Sequence, residues 1–137
     1  MIIDDHEISR AACRALLRTE GVNVVADFGA SDDVLAAVGA LRPDVAIVDV
    51  TPATDTGFAV ARGLRALGAP PIVILTSSAD RARFGAQVNG YRFIAKADIS
   101  ATAIAALATA EVPATGFPAT GDVTTVRPSS AHWRSDW

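Results

Sequence analysis

The chain has 137 residues, half of them apolar and a fifth charged, with a formal net charge of −3. This length suits one domain with a sizeable core, and the weak negative charge excludes the basic surface that nonspecific nucleic-acid binding needs. The single cysteine, Cys13, excludes an internal disulfide or a multi-cysteine zinc site, and no signal peptide or membrane-spanning stretch is indicated, so a cytoplasmic location is expected.

Apolar runs alternate with helical patterns from the first residue to about position 110. Strands are predicted at 1–3, 22–28, 44–50, 72–76 and 92–96. Helices are predicted at 7–20, 31–40, 58–67, 80–88 and 100–110, with Ser31 and Ser100 as N-caps. Strands and helices in alternation, joined by short connections, predict an α/β domain with a doubly wound parallel sheet.

The two ends of the chain depart from this pattern. Residues 111–137 combine proline, glycine, serine and threonine without periodicity, which predicts a flexible, disordered tail after a single domain at 1–110. Only three residues precede Asp4, whereas a strand usually has about five or six. We therefore expect a truncated first strand and a true N-terminus that lies upstream.

Polar residues stand where the apolar runs end. Asp4 and Asp5 follow the first run. Asp49 comes directly after VAIV, Thr76 after PIVIL and Lys96 after FIA. Ligands of open α/β sheets bind outside the carboxyl ends of the strands, so these side chains are expected at one rim. Grouped carboxylates repel one another unless a cation is present, and Mg²⁺ prefers oxygen ligands. An aspartate beside Mg²⁺ can act as a nucleophile toward phosphorus, with a lysine and a hydroxyl binding the phosphoryl oxygens.

Each of these residues, taken singly, also fits a structural role. Adjacent acids such as Asp4 and Asp5 begin many helices, Thr76 could cap a turn, and Lys96 could end an edge strand. Asp49 is more specific because burial penalises an unpaired charge at the end of an apolar strand. The joint occurrence of these residues in this order favours a site for a cation and a phosphoryl group.

Four segments, IIDDH, VAIVDV, VILTSS and RFIAK, resemble the motifs of the response-regulator receiver domain of two-component signalling. The DDHEISR opening and the AKADIS ending are most similar to the LuxR/NarL-type branch, which usually carries a DNA-binding domain that this sequence lacks. The resemblance covers residues 1 to about 110. It implies a flavodoxin-like (βα)5 fold with strand order 2-1-3-4-5 and identifies 1–110 as the receiver domain.

The resemblance also implies roles for the matching residues. Asp49 would accept a phosphoryl group. Mg²⁺ would be held by three carboxylates and one main-chain carbonyl, those of Asp4, Asp5, Asp49 and Thr51. The phosphoryl-binding and switch residues would be Thr76, Lys96 and Phe93.

A histidine kinase is the phosphodonor that the resemblance implies. Phosphorylation would change the face formed by the fourth helix, the last strand and the last helix, and so signal to an unidentified downstream protein such as a separately encoded output domain. A homodimer through the last helical face stays open. Neither enzymatic turnover of a substrate, direct DNA binding nor membrane association is expected.

Other functions are weighed against this interpretation. Pro52 stands one residue before the proline position of the family, and the stretch from Thr76 to Lys96 is contracted. The alternative is therefore a degenerate receiver that acts as a phosphorylation-independent interaction module. A phosphohydrolase of the haloacid-dehalogenase type would need a second aspartate where this chain has Thr51. A dinucleotide-binding domain is disfavoured because no G-x-G-x-x-G follows the first strand.

Overall fold

The computed structural model of the chain describes residues 1–30 and 32–112. Five parallel strands form one sheet in the order β2-β1-β3-β4-β5. The strands are β1 (Ile2–Ile3), β2 (Asp27–Phe28), β3 (Val45–Asp49), β4 (Ile72–Ser77) and β5 (Arg92–Ala95). The α-helices are α1 (Glu7–Thr19), α2 (Val34–Leu41), α3 (Thr56–Arg65) and α4 (Ala101–Thr109), and 3-10 helices span Arg81–Val88 and Lys96–Asp98. The predicted α/β fold and its strand order are confirmed.

The sheet is buried on both faces because successive strand residues point to opposite sides. On one face, the side chains of Ile3, Val48 and Leu75 pack against α2, α3 and the 3-10 helix Arg81–Val88. On the other face, Ile2, Ile47 and Ile74 pack against residues of α1 and α4. Helices therefore cover both faces, as the doubly wound prediction requires.

The hydrogen-bonded ladders differ in length. Strands β3 and β4 are aligned over five residue pairs, from Val45 opposite Ile72 to Asp49 opposite Thr76. Strand β1 has two aligned residues with each neighbour, Ile2 and Ile3. The Met1 ammonium extends β1 by donating to the carbonyl of Val45 at 3.0 Å. The predicted strand 22–28 is reduced to Asp27–Phe28 because β1 offers so few partners.

The second helix begins later than predicted. Asp33 is its N-cap and accepts a hydrogen bond from the Ala36 N–H at 3.2 Å. Ser31, the predicted cap, lies outside the described residues. For α4 the predicted cap is confirmed, since Ser100 Oγ accepts from the Ala103 N–H at 3.0 Å. The predicted tail also lies outside the described residues from position 113 onward.

The fourth predicted helix, at 80–88, is a 3-10 helix that glycine interrupts. Gly85 has φ +55° and ψ −131°, a backbone conformation that residues with a Cβ rarely adopt, and it divides the segment in two. Phe84 and Val88 still bury their side chains against the sheet. None of the helices in the described ranges is long and apolar enough to cross a bilayer.

Candidate functional site

The carboxyl ends of the strands bring several of the predicted residues to one edge of the sheet. Asp49 is aligned with Thr76 in the β3–β4 ladder. Asp4 directly follows β1, and Lys96 directly follows β5. Because all these strands are parallel, the residues that end or follow them lie at the same rim.

Three of these side chains form a buried ionic cluster, which we call the rim triad: Asp4, Asp49 and Lys96. Lys96 Nζ lies 3.0 Å from Asp4 Oδ2 and 3.0 Å from Asp49 Oδ1. The two aspartate side chains are only 4% and 7% exposed, and the lysine side chain is 23% exposed. One ammonium faces two carboxylates, so the rim triad is one positive charge short of neutrality when all three groups are ionised.

The pKa shifts of the three groups follow from their burial and from this excess of one negative charge. Burial raises the pKa of Asp49, and the neighbouring Asp4 carboxylate raises it further, against the opposing effect of Lys96. Burial also acts to raise the pKa of Asp4, but hydrogen bonds from the His6 N–H and from Lys96 outweigh it, so this pKa is lowered. Burial acts to lower the pKa of Lys96, and the two carboxylates raise it overall. An additional cation would therefore stabilise the ionised form of Asp49 more than that of Asp4.

Thr76 supplies a hydroxyl at the same strand end. Its main-chain carbonyl accepts from the Val50 N–H at 2.8 Å, which fixes the β3–β4 register beside Asp49. Its Oγ1 is buried and has no hydrogen-bond partner among the described residues. An unsatisfied buried hydroxyl costs about 1–3 kcal/mol. This donor is therefore available for a further hydrogen bond at the rim.

The contacts described for three other predicted residues are with groups outside the rim triad. The Asp5 carboxylate accepts from the Ala30 N–H at 2.6 Å and so faces the loop after β2. Thr51 is in the loop after β3, where its Oγ1 lies 3.3 Å from that of Thr54. Phe93 on β5 packs against Phe84, with 6.0 Å between the ring centroids.

His6 is a residue at the rim that the sequence analysis missed. Its Nδ1 lies 3.5 Å from Asp4 Oδ1, and its N–H donates to the same oxygen at 2.9 Å. One ligand atom from each of His6, Asp4 and Asp49 falls within 4.8 Å of the others. The DDH sequence was the available signal, but an exposed histidine at a helix start is unremarkable until the turn after β1 places it beside Asp4.

The donor set fits a divalent cation. Mg²⁺ binds one or two carboxylates and completes its coordination with waters and phosphate oxygens. Asp4 and Asp49 supply two buried carboxylates with a charge deficit, and the orphaned Thr76 hydroxyl stands at the aligned position of β4. Asp5 would add a further carboxylate on releasing the Ala30 N–H.

A second ionic cluster contacts the backbone of Asp4; we call it the arginine clamp, and its members are Arg10, Arg14 and Asp27. Arg10 Nε lies 3.0 Å from Asp27 Oδ1, and Arg14 Nη1 lies 2.7 Å from Asp27 Oδ2. Arg10 Nη1 also donates to the main-chain carbonyl of Asp4 at 2.6 Å. The Arg14 hydrogen bond is the main cause of the lowered pKa of Asp27. The clamp ties α1 and β2 to the backbone of a rim residue.

The sequence is similar to those of known proteins. A family model for the response regulator receiver domain matches residues 1–108. The sensory transduction protein LytT of Bacillus cereus is 27% identical over 82 residues, which cover 59% of this chain and 33% of LytT. The DNA-binding transcriptional activator EvgA of Escherichia coli K12 is 29% identical over 121 residues, which cover 86% of this chain and 59% of EvgA. The matched regions thus span between a third and three fifths of these relatives. The chain belongs to the response regulator receiver domain family.

Proposed function

We propose that this chain is a phosphorylatable receiver in which Asp49 accepts a phosphoryl group from a histidine kinase in the presence of Mg²⁺. The observation that carries the proposal is the rim triad, which places a nearly buried carboxylate of raised pKa 3.0 Å from a lysine ammonium. A carboxylate with a cationic neighbour is suited to attack phosphorus and to hold the resulting acyl phosphate.

Each residue has a proposed part in the transfer. An Asp49 carboxylate oxygen forms a bond to phosphorus as the bond from phosphorus to the donor's histidine nitrogen breaks, and that nitrogen keeps the electron pair. Lys96, already paired with Asp49, follows the new charge by donating to a phosphoryl oxygen. The Thr76 hydroxyl, which lacks a partner among the described residues, donates to a second phosphoryl oxygen. Mg²⁺, when bound, would neutralise charge on the carboxylates and on the phosphoryl oxygens.

The proposed Mg²⁺ ligands are the carboxylates of Asp4, Asp5 and Asp49 and the main-chain carbonyl of Thr51. Asp4 and Asp49 already lie together in the rim triad. Asp5 has to exchange its hydrogen bond from Ala30 for this role. Ligand exchange of this kind is compatible with an exposed carboxylate on a short turn, because water can replace the lost partner.

Signalling would proceed from Thr76 to the adjacent strand. Thr76 is aligned with Ile94 on β5, next to Phe93. Phe93 packs against Phe84, and the guanidinium of Arg81 lies 5.8 Å from the Phe93 ring centroid. A shift of Thr76 toward a phosphoryl oxygen would therefore act on Phe93 and the 3-10 helix Arg81–Val88, and a downstream protein would detect the change in this face.

The proposed cellular role follows the same lines. LytT is named a sensory transduction protein and EvgA a DNA-binding transcriptional activator, which supports a role in signal transduction. We propose a cytoplasmic receiver that signals through a protein partner, without substrate turnover beyond its own phosphorylation and dephosphorylation. The formal net charge of −3 disfavours direct DNA contact by this chain.

The test is phosphoryl incorporation from acetyl phosphate and Mg²⁺, followed by intact-mass spectrometry. We expect one hydroxylamine-labile phosphoryl group on the wild-type chain and none on Asp49→Asn. Asp55→Asn is the matched control, because Asp55 is an exposed carboxylate that pairs with Arg62 at 2.6 Å and not with Lys96. Labelled Asp49→Asn would refute the assignment of the phosphoacceptor.

One observation favours a second function, a degenerate receiver that serves as a constitutive interaction module. The Gly85 interruption leaves the segment 81–88 without a continuous α-helix on the proposed output face. Beryllofluoride with Mg²⁺ separates the two functions. Amide shifts at both Asp49 and Phe93 support phosphorylation-dependent switching, and an unchanged spectrum supports the constitutive module.

We also propose that residues 1–110 form the receiver domain and that 111–137 are dispensable for its phosphorylation. The described core and the whole rim triad lie within 1–110. A chain ending at Val112 should take up the same phosphoryl group with an unchanged unfolding midpoint. Loss of cooperative unfolding in the shortened chain would show that the tail is part of the domain.

A further inference from the structure

We propose that His6 is a metal ligand at the rim triad and that it adapts the site to borderline divalent cations such as Mn²⁺, Co²⁺ and Ni²⁺. The inference deepens the proposed function, since it rests on the same pair of carboxylates as the Mg²⁺ site. It adds a nitrogen ligand to a set that otherwise consists of oxygen atoms.

The geometry of the three groups carries the proposal. A nitrogen of His6 and one carboxylate oxygen each of Asp4 and Asp49 lie within 4.8 Å of one another. A first-row cation with ligand bonds of about 2.0–2.2 Å spaces its ligands about 3–4 Å apart. The existing spacing therefore comes close to a coordination shell, and the final adjustment falls on the imidazole, whose side chain is 71% exposed.

Asp5 and His6 differ in how each is held. The Asp5 carboxylate is engaged by the Ala30 N–H at 2.6 Å and faces the loop after β2. The His6 ring already lies on the Asp4 side, with Nδ1 at 3.5 Å from Asp4 Oδ1. Its backbone is also fixed toward that carboxylate, because the His6 N–H donates to the same oxygen at 2.9 Å. The structure thus places the His6 ring beside the rim triad, where it can add a nitrogen ligand.

The imidazole nitrogen should increase the affinity of the site for some cations more than for others. Mg²⁺ is a hard cation that prefers oxygen ligands and keeps several waters, so an added imidazole contributes little to its binding. Imidazole suits borderline metals, whose affinity rises from Mn²⁺ through Co²⁺ to Ni²⁺. His6 should therefore increase the affinity for Ni²⁺ and Co²⁺ strongly, for Mn²⁺ less, and for Mg²⁺ hardly at all.

The experiment compares three full-length chains: wild type, His6→Asn and His132→Asn. His132 is the only other histidine of the chain, so its variant is the matched control. Isothermal titration calorimetry with Ni²⁺ and with Mg²⁺ at neutral pH gives the affinities. We expect His6→Asn to weaken Ni²⁺ binding about tenfold or more and to change Mg²⁺ binding by less than about twofold. His132→Asn should bind both cations as the wild type does.

A spectroscopic measurement tests ligation itself. Pulsed electron paramagnetic resonance of Mn²⁺ bound to the protein should show coupling to an imidazole nitrogen in the wild type and in His132→Asn. That coupling should be lost in His6→Asn. Unchanged Ni²⁺ affinity in His6→Asn, or nitrogen coupling that survives this substitution, would overturn the inference.

Failure of the inference is distinguishable from failure of the proposed function. The proposed function is tested by phosphorylation of the wild-type chain at Asp49 with Mg²⁺ alone. A chain that is phosphorylated but shows no His6-dependent metal binding retains the proposed function and loses the inference. A chain that binds Ni²⁺ through His6 but takes up no phosphoryl group retains the inference and loses the proposed function.

Discussion

The rim triad and the arginine clamp are neighbouring ionic clusters with opposite charge balance. In the rim triad, Lys96 stands between two carboxylates, whereas in the arginine clamp Asp27 stands between two guanidinium groups. Burial raises the pKa of Asp49, but the Arg14 hydrogen bond lowers the pKa of Asp27. The carboxylate of the clamp has two cationic partners, whereas Asp4 and Asp49 in the rim triad share a single lysine.

This difference separates a structural cluster from a binding site. Buried charges destabilise a fold unless they are paired and hydrogen-bonded, so a net charge at a buried position needs a reason other than stability. The rim triad combines such a charge with an unpartnered hydroxyl on Thr76. The clamp instead connects α1, β2 and the carbonyl of Asp4. The four predictions that follow test this contrast, from the largest expected effect to the smallest.

Removal of the lysine from the rim triad should have the largest effect. Lys96→Met leaves two nearly buried carboxylates without their cation, and we expect the free energy of unfolding to fall by about 3 kcal/mol. Millimolar Mg²⁺ should restore much of this loss by binding the folded state. Urea denaturation with and without Mg²⁺ measures both effects. In the control Arg14→Met the loss should be about 1 kcal/mol and independent of Mg²⁺, and an equal Mg²⁺ response in both variants would remove the contrast.

A change next to the Asp49 backbone should disturb the rim triad. A Cβ at Gly57 would overlap the main-chain carbonyl of Asp49 and lie 3.0 Å from Val50 Cγ1. Gly57→Ala should therefore cost about 2 kcal/mol and reduce phosphoryl incorporation at Asp49. The control is Gly63→Ala, whose Cβ meets only the flexible Leu35 side chain at 3.3 Å. Unfolding curves and labelling yields for the two variants check this, and equal behaviour would contradict it.

Loss of the orphaned hydroxyl should stabilise the fold. Thr76→Val removes a buried Oγ1 that has no partner in the described structure, so we expect a gain of about 1 kcal/mol in the free energy of unfolding. The same variant should weaken the spectral response of Phe93 to beryllofluoride. Ser77→Ala is the control of opposite sign, because Ser77 Oγ accepts from the Ala79 N–H at 3.0 Å. A Thr76→Val chain less stable than wild type would show that the hydroxyl is already satisfied.

The contribution of the arginine clamp to the free energy of unfolding should depend on pH. The pKa of Asp27 is lowered from its ordinary value of 3.8, so its ionised form stabilises the fold above that pH, and this contribution is lost as the pH falls through the lower folded-state value. Asp27→Asn should therefore be about 1 kcal/mol less stable than wild type near neutrality. The difference should vanish in acid. Denaturation at a series of pH values measures it, and a gap that persists in acid would exclude the electrostatic explanation.

The strands that carry the rim residues could be predicted from the sequence. Runs such as 45–48 and 72–75 are apolar throughout, which indicates strands buried on both faces, and the polar residue that follows each run then indicates the rim. The alternation of strands and helices was sufficient for a doubly wound parallel sheet. These features are local in the sequence or follow from general rules of chain connection, so they could be predicted without the structure. The strand order 2-1-3-4-5 came instead from the resemblance to receiver domains.

The remaining features depend on distant contacts and on side-chain rotation. Arg10 and Asp27 are 17 positions apart, and no local sequence pattern indicates that their side chains are in contact. Asp5 and His6 follow Asp4 directly, yet the turn after β1 directs one side chain to Ala30 and places the other beside Asp4. The shortened β2 depends on the few partners that β1 offers, and the Gly85 interruption depends on one backbone conformation. Composition and periodicity do not encode these choices.

The unequal ladders of the sheet also set an expected order of folding events. The five-pair β3–β4 ladder closes a shorter loop than the contact of Met1 with Val45, which spans 44 positions, and longer closures cost more entropy before contacts form. We expect Val48→Ala to slow folding and Ile3→Val mainly to speed unfolding, as stopped-flow kinetics would show. Asp49 and Thr76 would then meet early, while Asp4 arrives with β1 and completes the rim triad in the last step of folding.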